Sequence, residues 1–294
     1  MDQTWVRGIV LFASLHMSGQ VYECKEVAKF QYEVAPSLGQ HYLETYAYQM
    51  GATTHLWNTA IAVEAAYMDT RFSFFEVPGI AEIGALERFH RVGFSLGASG
   101  KFTEQWNWSA YLHPQLSSTL SRAIATDDLL IEGGFGITKH WHQSRLTLGV
   151  ERTTAFGRPQ WLPYLNYFKA VGELLQLQLG FPESQVTYQF NNRHQLAVQG
   201  KVSGNYFHIS GNLAIAGVGT VSNAQFHFSG WNFGVQHQYK LQPKVTITTR
   251  IGLLNNNSFE IEDTNESALL SIPTDASPYF SMGLQYNLNS NNND

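Results

Sequence analysis

The chain has 294 residues, of which 14% are charged, against roughly 25% in an average soluble domain. Aromatic residues make up a further 14%, and the formal net charge is −5. The apolar content excludes a disordered chain, and the acidic balance without a basic stripe argues against a nucleic-acid partner. No run approaches the ~18 apolar residues of a spanning helix.

The first residues have the features of a secretory signal peptide. Arg7 precedes the apolar stretch Gly8–Leu15, which is followed by the small residues Ser18 and Gly19. We therefore predict a signal peptide over residues 1–19 and one mature domain over 20–294, with an N-terminal strand as the alternative. Cys24 is the only cysteine, so an intramolecular disulfide is excluded.

Apolar and polar residues alternate along most of the chain beyond residue 25. Val92, Phe94 and Leu96 share one side of an extended segment, and Arg91 and Ser95 share the other. Segments with this period are about 9–13 residues long, the length of a tilted strand that crosses a bilayer. Further examples lie at 61–67, 146–151, 175–179, 206–215 and 245–253. The pattern predicts an all-β protein.

The predicted connections between these strands alternate in length. Short turns are expected at 55–58, 103–106, 141–144, 171–173, 202–204 and 242–244. Longer connections are expected at 36–42, 76–87, 117–128, 156–161, 181–194, 217–223 and 255–277. This asymmetry is typical of outer-membrane barrels, with short periplasmic turns and longer outer loops. It predicts about 14 strands. The alternatives are 12 to 16 strands, because Val186–Phe190 is a possible extra strand and Tyr164–Lys169 alternates poorly.

The last predicted strand has an unbroken apolar face. Its members are Phe280, Met282, Leu284, Tyr286 and Leu288. Ser281, Gly283, Tyr286 and Leu288 also resemble the closing-strand signal that the outer-membrane assembly machinery reads, which is a polar residue, a glycine and two apolar or aromatic residues. In hydrocarbon every backbone polar group needs an internal partner, so a spanning sheet must close on itself. We therefore predict a single antiparallel transmembrane barrel in the outer membrane, with lipid and the assembly machinery as its partners.

From about Arg88 onward, the sequence resembles an uncharacterised outer-membrane β-barrel family of Gram-negative bacteria. The likeness lies in four stretches, namely Tyr111–Ser118, Asp127–Trp141, Phe156–Tyr167 and Leu179–His194. The resemblance implies the fold and the location. It implies no activity, cofactor or catalytic residue.

The polar faces of the predicted strands place charged residues on the lumen wall. They are Glu44, Glu64, Arg91, Glu132, Glu151 and Arg250. Such charges either line a watery path or pair across the barrel and fill it. The leading hypothesis is a passive channel for small solutes, and the alternative is a non-conducting scaffold barrel that binds other envelope proteins. The sequence leaves open whether the lumen is open.

Four other patterns admit a chemical interpretation beside a structural one. His208 with Ser210 and His227 with Ser229 have the spacing of a lipid-hydrolysing pair, with Asn212 or Asn223 to orient the imidazole. His140 and His142 have a two-ligand metal spacing. We expect lumen lining in the first pattern and chance in the second, and therefore no enzyme, cofactor or metal.

The other two patterns concern aromatic and acidic residues. Aromatic residues near strand ends are expected to form interfacial girdles, with a sugar-stacking platform as the alternative. They are Trp57, Trp106, Trp108, Trp141, Trp161, Tyr164 and Tyr167. Asn255–Asn257, Glu260, Glu262, Asp263 and Glu266 are expected to form a solvated loop, with a calcium site as the alternative.

Overall fold

The computed structural model describes residues 27–38, 41–74, 80 and 86–288. The predicted signal peptide and Cys24 lie outside these residues. The strands are β1 (Val27–Leu38), β2 (His41–Leu56), β3 (Thr59–Phe74), β4 (Arg88–Lys101), β5 (Trp106–Ser118), β6 (Leu129–Trp141), β7 (Ser144–Thr153), β8 (Gln160–Val171), β9 (Leu175–Phe181), β10 (Glu183–Gln189), β11 (His194–His208), β12 (Asn212–Ile215), β13 (Gly219–Ser222), β14 (Gln225–Gln242), β15 (Val245–Glu262), β16 (Ala268–Pro273) and β17 (Ser277–Asn287). The described residues contain no helix that is long and apolar enough to cross a bilayer.

Fourteen of these strands form a closed antiparallel barrel, as predicted. Each strand from β1 to β10 pairs with the next, and the wall continues from β11 through β14, β15 and β17. The last strand then pairs with the first, in a register that joins Tyr32 to Met282. Closure leaves no free sheet edge in the wall, as a membrane-spanning sheet requires. The hairpin β12–β13 and the short β16 lie outside this ring.

The alternation of side chains separates an apolar exterior from a polar interior. On β4, Val92, Phe94 and Leu96 are exposed on the outside, whereas Ser95 and Ser99 are buried inside. Large apolar side chains are exposed in the same way on strands around the ring, including Leu148, Val198, Ile251 and Leu284. An exposed apolar belt of this extent suits contact with lipid tails and would aggregate in water.

Two of the expected connections that are wrong change the number of wall strands, and their effects on that number cancel. The expected loop at 181–194 contains β10, which pairs with β9 and β11. The expected turn at 202–204 lies inside β11, which continues without a break to His208. The segment 206–215 is therefore not a separate wall strand. It contains the end of β11 and the short β12, and its apolar residues face the barrel interior.

The strands β11, β14 and β15 extend beyond the wall and fold across one end of the barrel. His208 at the end of β11 pairs with Ser118 on β5, which belongs to the opposite side of the ring. A register shift between Ser229 and Trp231 in β14 marks the start of the fold-over, since a bulge bends its strand. We call these extensions, residues 202–230 and 258–273, the cap, and the end that they cover the outer end.

The cap packs on the barrel wall through a cluster of phenylalanines. Phe72 of β3 contacts Phe89, Phe226 and Phe259, with ring centroids 5.7, 5.2 and 5.4 Å apart. Phe89 also lies 4.8 Å from Phe207, measured between ring centroids. All five rings are almost fully buried, so the outer end of the lumen is filled by an apolar core.

Between β8 and β11 the barrel wall does not reach as far toward the outer end as it does elsewhere. The hairpin β9–β10 has seven residues in each strand, so its turn at Pro182 lies beside Val202 rather than at the outer end. The β7–β8 loop, residues 154–159, packs against the part of β11 beyond this turn. A Cβ atom on Gly204 would lie 2.3 Å from the Thr154 carbonyl oxygen, which shows how closely the loop approaches.

Candidate functional site

The lumen contains ionisable groups at the depth of the lipid-facing belt. Glu64 of β3, Glu183 of β10, Lys201 of β11 and Arg250 of β15 are all less than a tenth exposed. Glu183 and Lys201 are directly opposite each other in the β10–β11 register. Sequence reasoning missed these two lumen residues, because the alternation pattern places Glu183 in a loop and Lys201 beside a turn.

The Arg250 guanidinium is only partly satisfied. Its Nη2 donates a 2.6 Å hydrogen bond to Gln236 Oε1 on the neighbouring strand. Its Nε and Nη1 atoms are buried and have no hydrogen-bond partner in the described part of the chain, nor does Oδ1 of Asn232. Buried polar atoms without partners are costly, so this region of the lumen favours occupation by water or a polar solute.

Arg91 faces the barrel interior and contacts the side of the cap that faces the lumen. Its Nη2 lies 3.3 Å from the Tyr206 carbonyl oxygen, and its guanidinium lies 5.1 Å from the Phe207 ring centroid. Ser117 donates a 2.6 Å hydrogen bond to the same carbonyl oxygen. Arg91 is therefore an anchor of the cap as well as a lumen residue.

Glu132 and Glu151 belong to a polar network on the adjoining wall. Glu132 accepts hydrogen bonds from Gln115 Nε2 at 2.9 Å and from the Thr154 amide at 2.8 Å. Glu151 is buried and accepts a 3.2 Å hydrogen bond from the Tyr111 hydroxyl. The contact with Thr154 links the lumen wall to the β7–β8 loop.

Glu44 lies on the exterior face, contrary to the prediction that it lines the lumen. Its Oε1 accepts hydrogen bonds from the Tyr32 and Tyr42 hydroxyls at 2.9 and 2.7 Å. Leu43 next to it is buried inside. The alternation along β2 therefore places Glu44 at the outer rim among tyrosines.

His208 and Ser210 do not form the pair that their spacing suggested. His208 Nδ1 lies 2.7 Å from Asp128 Oδ1, whereas the Ser210 hydroxyl lies 2.8 Å from Thr119 Oγ1. Burial raises the pKa of Asp128, but hydrogen bonds from the Ala125 amide, Ser118 and His208 outweigh it and hold the pKa below its usual value. These contacts fasten the cap to the β5–β6 loop and give His208 a structural partner.

The second histidine pair is also separated by the structure. His140 lies at the end of β6 with its Nε2 3.1 Å from Asn107 Nδ2. His142 lies in the following turn with a φ of 28°. The strand does not persist through both residues, so they do not share the face that a two-ligand site needs.

The aromatic girdle is present with one exception. Trp57, Trp106, Trp141 and Trp161 are exposed on the barrel exterior, whereas Tyr164 is buried on the interior face. Lys139 lies over Trp106 and Trp141, with its Nζ 5.2 and 5.3 Å from the ring centroids. Trp108 and Tyr167 are half-buried.

The acidic segment near residue 260 is a strand rather than a solvated loop. β15 continues to Glu262, whose side chain is buried. Only Asp263 and the residues after it form a turn, in which Asp263 Oδ1 accepts hydrogen bonds from the Asn265 and Ser267 amides at 2.8 and 2.9 Å. His227, Glu260 and Glu262 come together on the face of the cap that lies against the β7–β8 loop, a cluster that sequence reasoning did not assemble.

The residues of the predicted assembly pattern lie on both faces of β17. Ser281 is buried inside, and Tyr286 and Leu288 are exposed outside. A Cβ atom on Gly283 would lie 3.4 Å from the Phe30 carbonyl oxygen of β1. Three of the four residues thus lie on the strand that closes the barrel, and Leu288 follows its last residue.

An apolar exterior, a polar lumen and a closed antiparallel ring define a β-barrel of the outer-membrane type. Residues 49–287 match the model of a family described as "Domain of unknown function (DUF6268)", and the chain belongs to this family. This match confirms the resemblance found in the sequence. No curated protein matches the chain.

Among solved structures, the chain is similar to three barrels named as porins or a transporter. The KdgM porin is 9% identical, with a TM-score of 0.35 and coverage of 90% of this chain and 99% of that chain. The NanC porin is 10% identical, with a TM-score of 0.39 and coverage of 89% and 99%. The P. putida toluene transporter TodX is 10% identical, with a TM-score of 0.42 and coverage of 90% and 91%.

Proposed function

We propose that this protein is a transport barrel of the outer membrane that passes small polar solutes through its lumen and is closed by its cap. On this proposal the cap is a gate, and the structure describes the closed state. The protein acts through passage of solutes rather than through catalysis. Outer-membrane lipid surrounds the barrel, and the assembly machinery recognises its last strand.

The single observation that supports transport most directly is the set of ionisable groups inside the barrel. Glu64, Glu183, Lys201 and Arg250 are buried at membrane depth. Replacing buried ion pairs with apolar residues is often neutral or stabilising by about 1–4 kcal/mol. A barrel that served only as a scaffold would gain nothing from such groups, whereas a path for polar solutes uses them.

A non-conducting scaffold is the second candidate, and the phenylalanine cluster of the cap favours it. A filled mouth blocks passage unless the cap moves. Weakening the cluster distinguishes the two functions, because a scaffold would only lose stability whereas a gated channel would open.

Single-channel recording in planar bilayers separates the two functions. We expect brief stepwise openings from the wild-type barrel and openings that are at least tenfold more frequent from Phe226→Ala. Arg250→Gln combined with Phe226→Ala should shift the selectivity toward cations, since a lumen cation is removed. Phe94→Ala, which removes a ring from the lipid-facing side, is the matched control and should behave as wild type. Silent membranes with both the wild-type and Phe226→Ala barrels, shown to be inserted, would overturn transport and leave the scaffold.

A further inference from the structure

The face of the cap that lies against the β7–β8 loop has a cluster of three metal-ligating side chains. His227 is directly opposite Glu260 in the β14–β15 register, and Glu262 lies two residues further along β15. Their ligand atoms all lie within 4.8 Å of one another. Because paired strands hold all three residues, the backbone positions are fixed before any ligand arrives.

Two of the three distances within the cluster are close to those of a tetrahedral metal site. His227 Nε2 lies 3.2 Å from Glu262 Oε2 and 3.5 Å from Glu260 Oε2. Zinc binds imidazole nitrogen and carboxylate oxygen at about 2.0–2.2 Å, so two ligands of a tetrahedral ion are about 3.4 Å apart. These two separations therefore need little adjustment to accept a metal ion.

The hydrogen bonding leaves ligand atoms pointing into the cluster. Arg158 Nε lies 3.4 Å from His227 Nε2 and donates to it, so that nitrogen presents its lone pair to the site. The Glu262 side chain is 1% exposed, and its buried Oε2 accepts no hydrogen bond in the described part of the chain. A buried carboxylate oxygen without a donor is costly, and a cation at this point would satisfy it.

Arg158 of the β7–β8 loop occupies the place of a cation in this structure. Its Nη2 contacts Glu262 Oε1 closely and lies 3.7 Å from Glu260 Oε2. With a neutral imidazole, two carboxylates and one guanidinium, the cluster has a net charge of −1. A divalent ion in place of the guanidinium would balance both carboxylates. The Arg158 side chain is 43% exposed, so it can turn out into solvent.

We propose that His227, Glu260 and Glu262 form a binding site for a divalent transition-metal ion of the zinc type, which competes with Arg158. The imidazole ligand selects such ions over magnesium and calcium, which prefer oxygen ligands. Metal binding expels Arg158 and thereby removes one contact that holds the β7–β8 loop against the cap. The site stands on its own geometry and does not depend on whether the barrel conducts.

Zinc binding to the full-length, detergent-solubilised barrel tests the proposal, with equilibrium dialysis as the measurement. All proteins should have Cys24→Ser, because a free thiol also binds zinc. We expect Arg158→Gln to bind one zinc ion at least tenfold more tightly than the parent, since the competing guanidinium is gone. Adding Glu260→Gln or His227→Gln to Arg158→Gln should weaken binding at least tenfold.

Glu266→Gln in the Arg158→Gln background is the matched control, because it removes one carboxylate from the neighbouring exposed turn. It should leave zinc affinity unchanged. The Glu260 variant decides the matter if the buried His227 variant fails to fold, because Glu260 is partly exposed. Arg158→Gln binding no more tightly than the parent, or Glu266→Gln weakening binding as much as Glu260→Gln, would overturn the site.

Discussion

Asp128 Oδ1 lies 2.7 Å from His208 Nδ1, although 80 positions of sequence separate the two residues. Both side chains are almost fully buried. The contact joins the end of β11 to the β5–β6 loop, at the point where the cap reaches the opposite wall. The closed mouth therefore depends on a polar contact as well as on the phenylalanine cluster.

Asp128→Asn should loosen the cap. A hydrogen bond to a charged group contributes about 1.5–3 kcal/mol, so hydrogen exchange of segment 206–215 should become roughly 10- to 100-fold faster at pH 7. Hydrogen–deuterium exchange with mass spectrometry measures this rate. Asp127→Asn removes a neighbouring exposed carboxylate and should leave the rate unchanged; an equal effect of both variants would contradict the role of Asp128.

The contribution of Asp128 to the stability of the closed cap should disappear at acidic pH. Its pKa is held below the usual value in the folded protein, so its stabilising effect is complete above the unfolded value of about 3.9. The effect is lost as the pH falls through the folded pKa. After correction for intrinsic exchange, wild type and Asp128→Asn should converge well below pH 4. A difference that persists unchanged at pH 2 would show that the carboxylate charge is not the cause.

Phe72→Ala should open the cap by removing the ring at the centre of the cluster. Loss of a buried phenylalanine costs about 3–5 kcal/mol, and Phe72 contacts cap and wall at once. Chymotrypsin added to the inserted barrel should then cut near Phe207, which is protected in the wild type. Phe94→Ala is the control, because it removes a ring of the same size from the lipid-facing side. Equal protection of Phe207 in the wild type and Phe72→Ala would contradict this prediction.

Gly204→Ala should displace the β7–β8 loop from β11. The added Cβ atom would lie 2.3 Å from the Thr154 carbonyl oxygen and 2.4 Å from the Gly157 nitrogen, which are backbone atoms. We expect chymotrypsin to cut after Phe156 in this loop faster than in the wild type, because the loop moves away from β11. Gly211→Ala adds a Cβ atom that meets only Ser121 Oγ at 3.7 Å, and it should leave the cleavage rate unchanged.

Sequence alternation predicted the wall of the barrel but not the cap. A period of two shows which residues share a face, and on β4 and β17 the apolar face lies on the exposed exterior of the barrel, as expected. Phe207, Ile209 and Leu213 have the same period, yet they are fully buried in the interior. Periodicity does not say whether an apolar face meets lipid or a protein core, so the fold-over of β11 could not be foreseen.

The candidate sites were hidden from the sequence for a different reason. His227 and Glu260 are neighbours only through the β14–β15 register, and Arg158 reaches them from a loop on another part of the wall. The residue pattern alone predicts a solvated loop for Glu260 and Glu262. A rule that expects about ten residues for each membrane crossing does not predict strands that continue beyond the membrane-spanning part of the wall.

Closure of the ring between β1 and β17 is the central claim, and a cysteine pair across this seam tests it most directly. Tyr32→Cys with Met282→Cys, in a Cys24→Ser background, places two thiols on directly paired residues of the exterior face. Mild oxidation of the protein in outer membranes should join them almost completely, since paired strand positions are within disulfide range. Tyr32→Cys with Tyr286→Cys, four positions out of register, should remain reduced. Absence of the first disulfide, or equal formation of both, would contradict a closed barrel in this register.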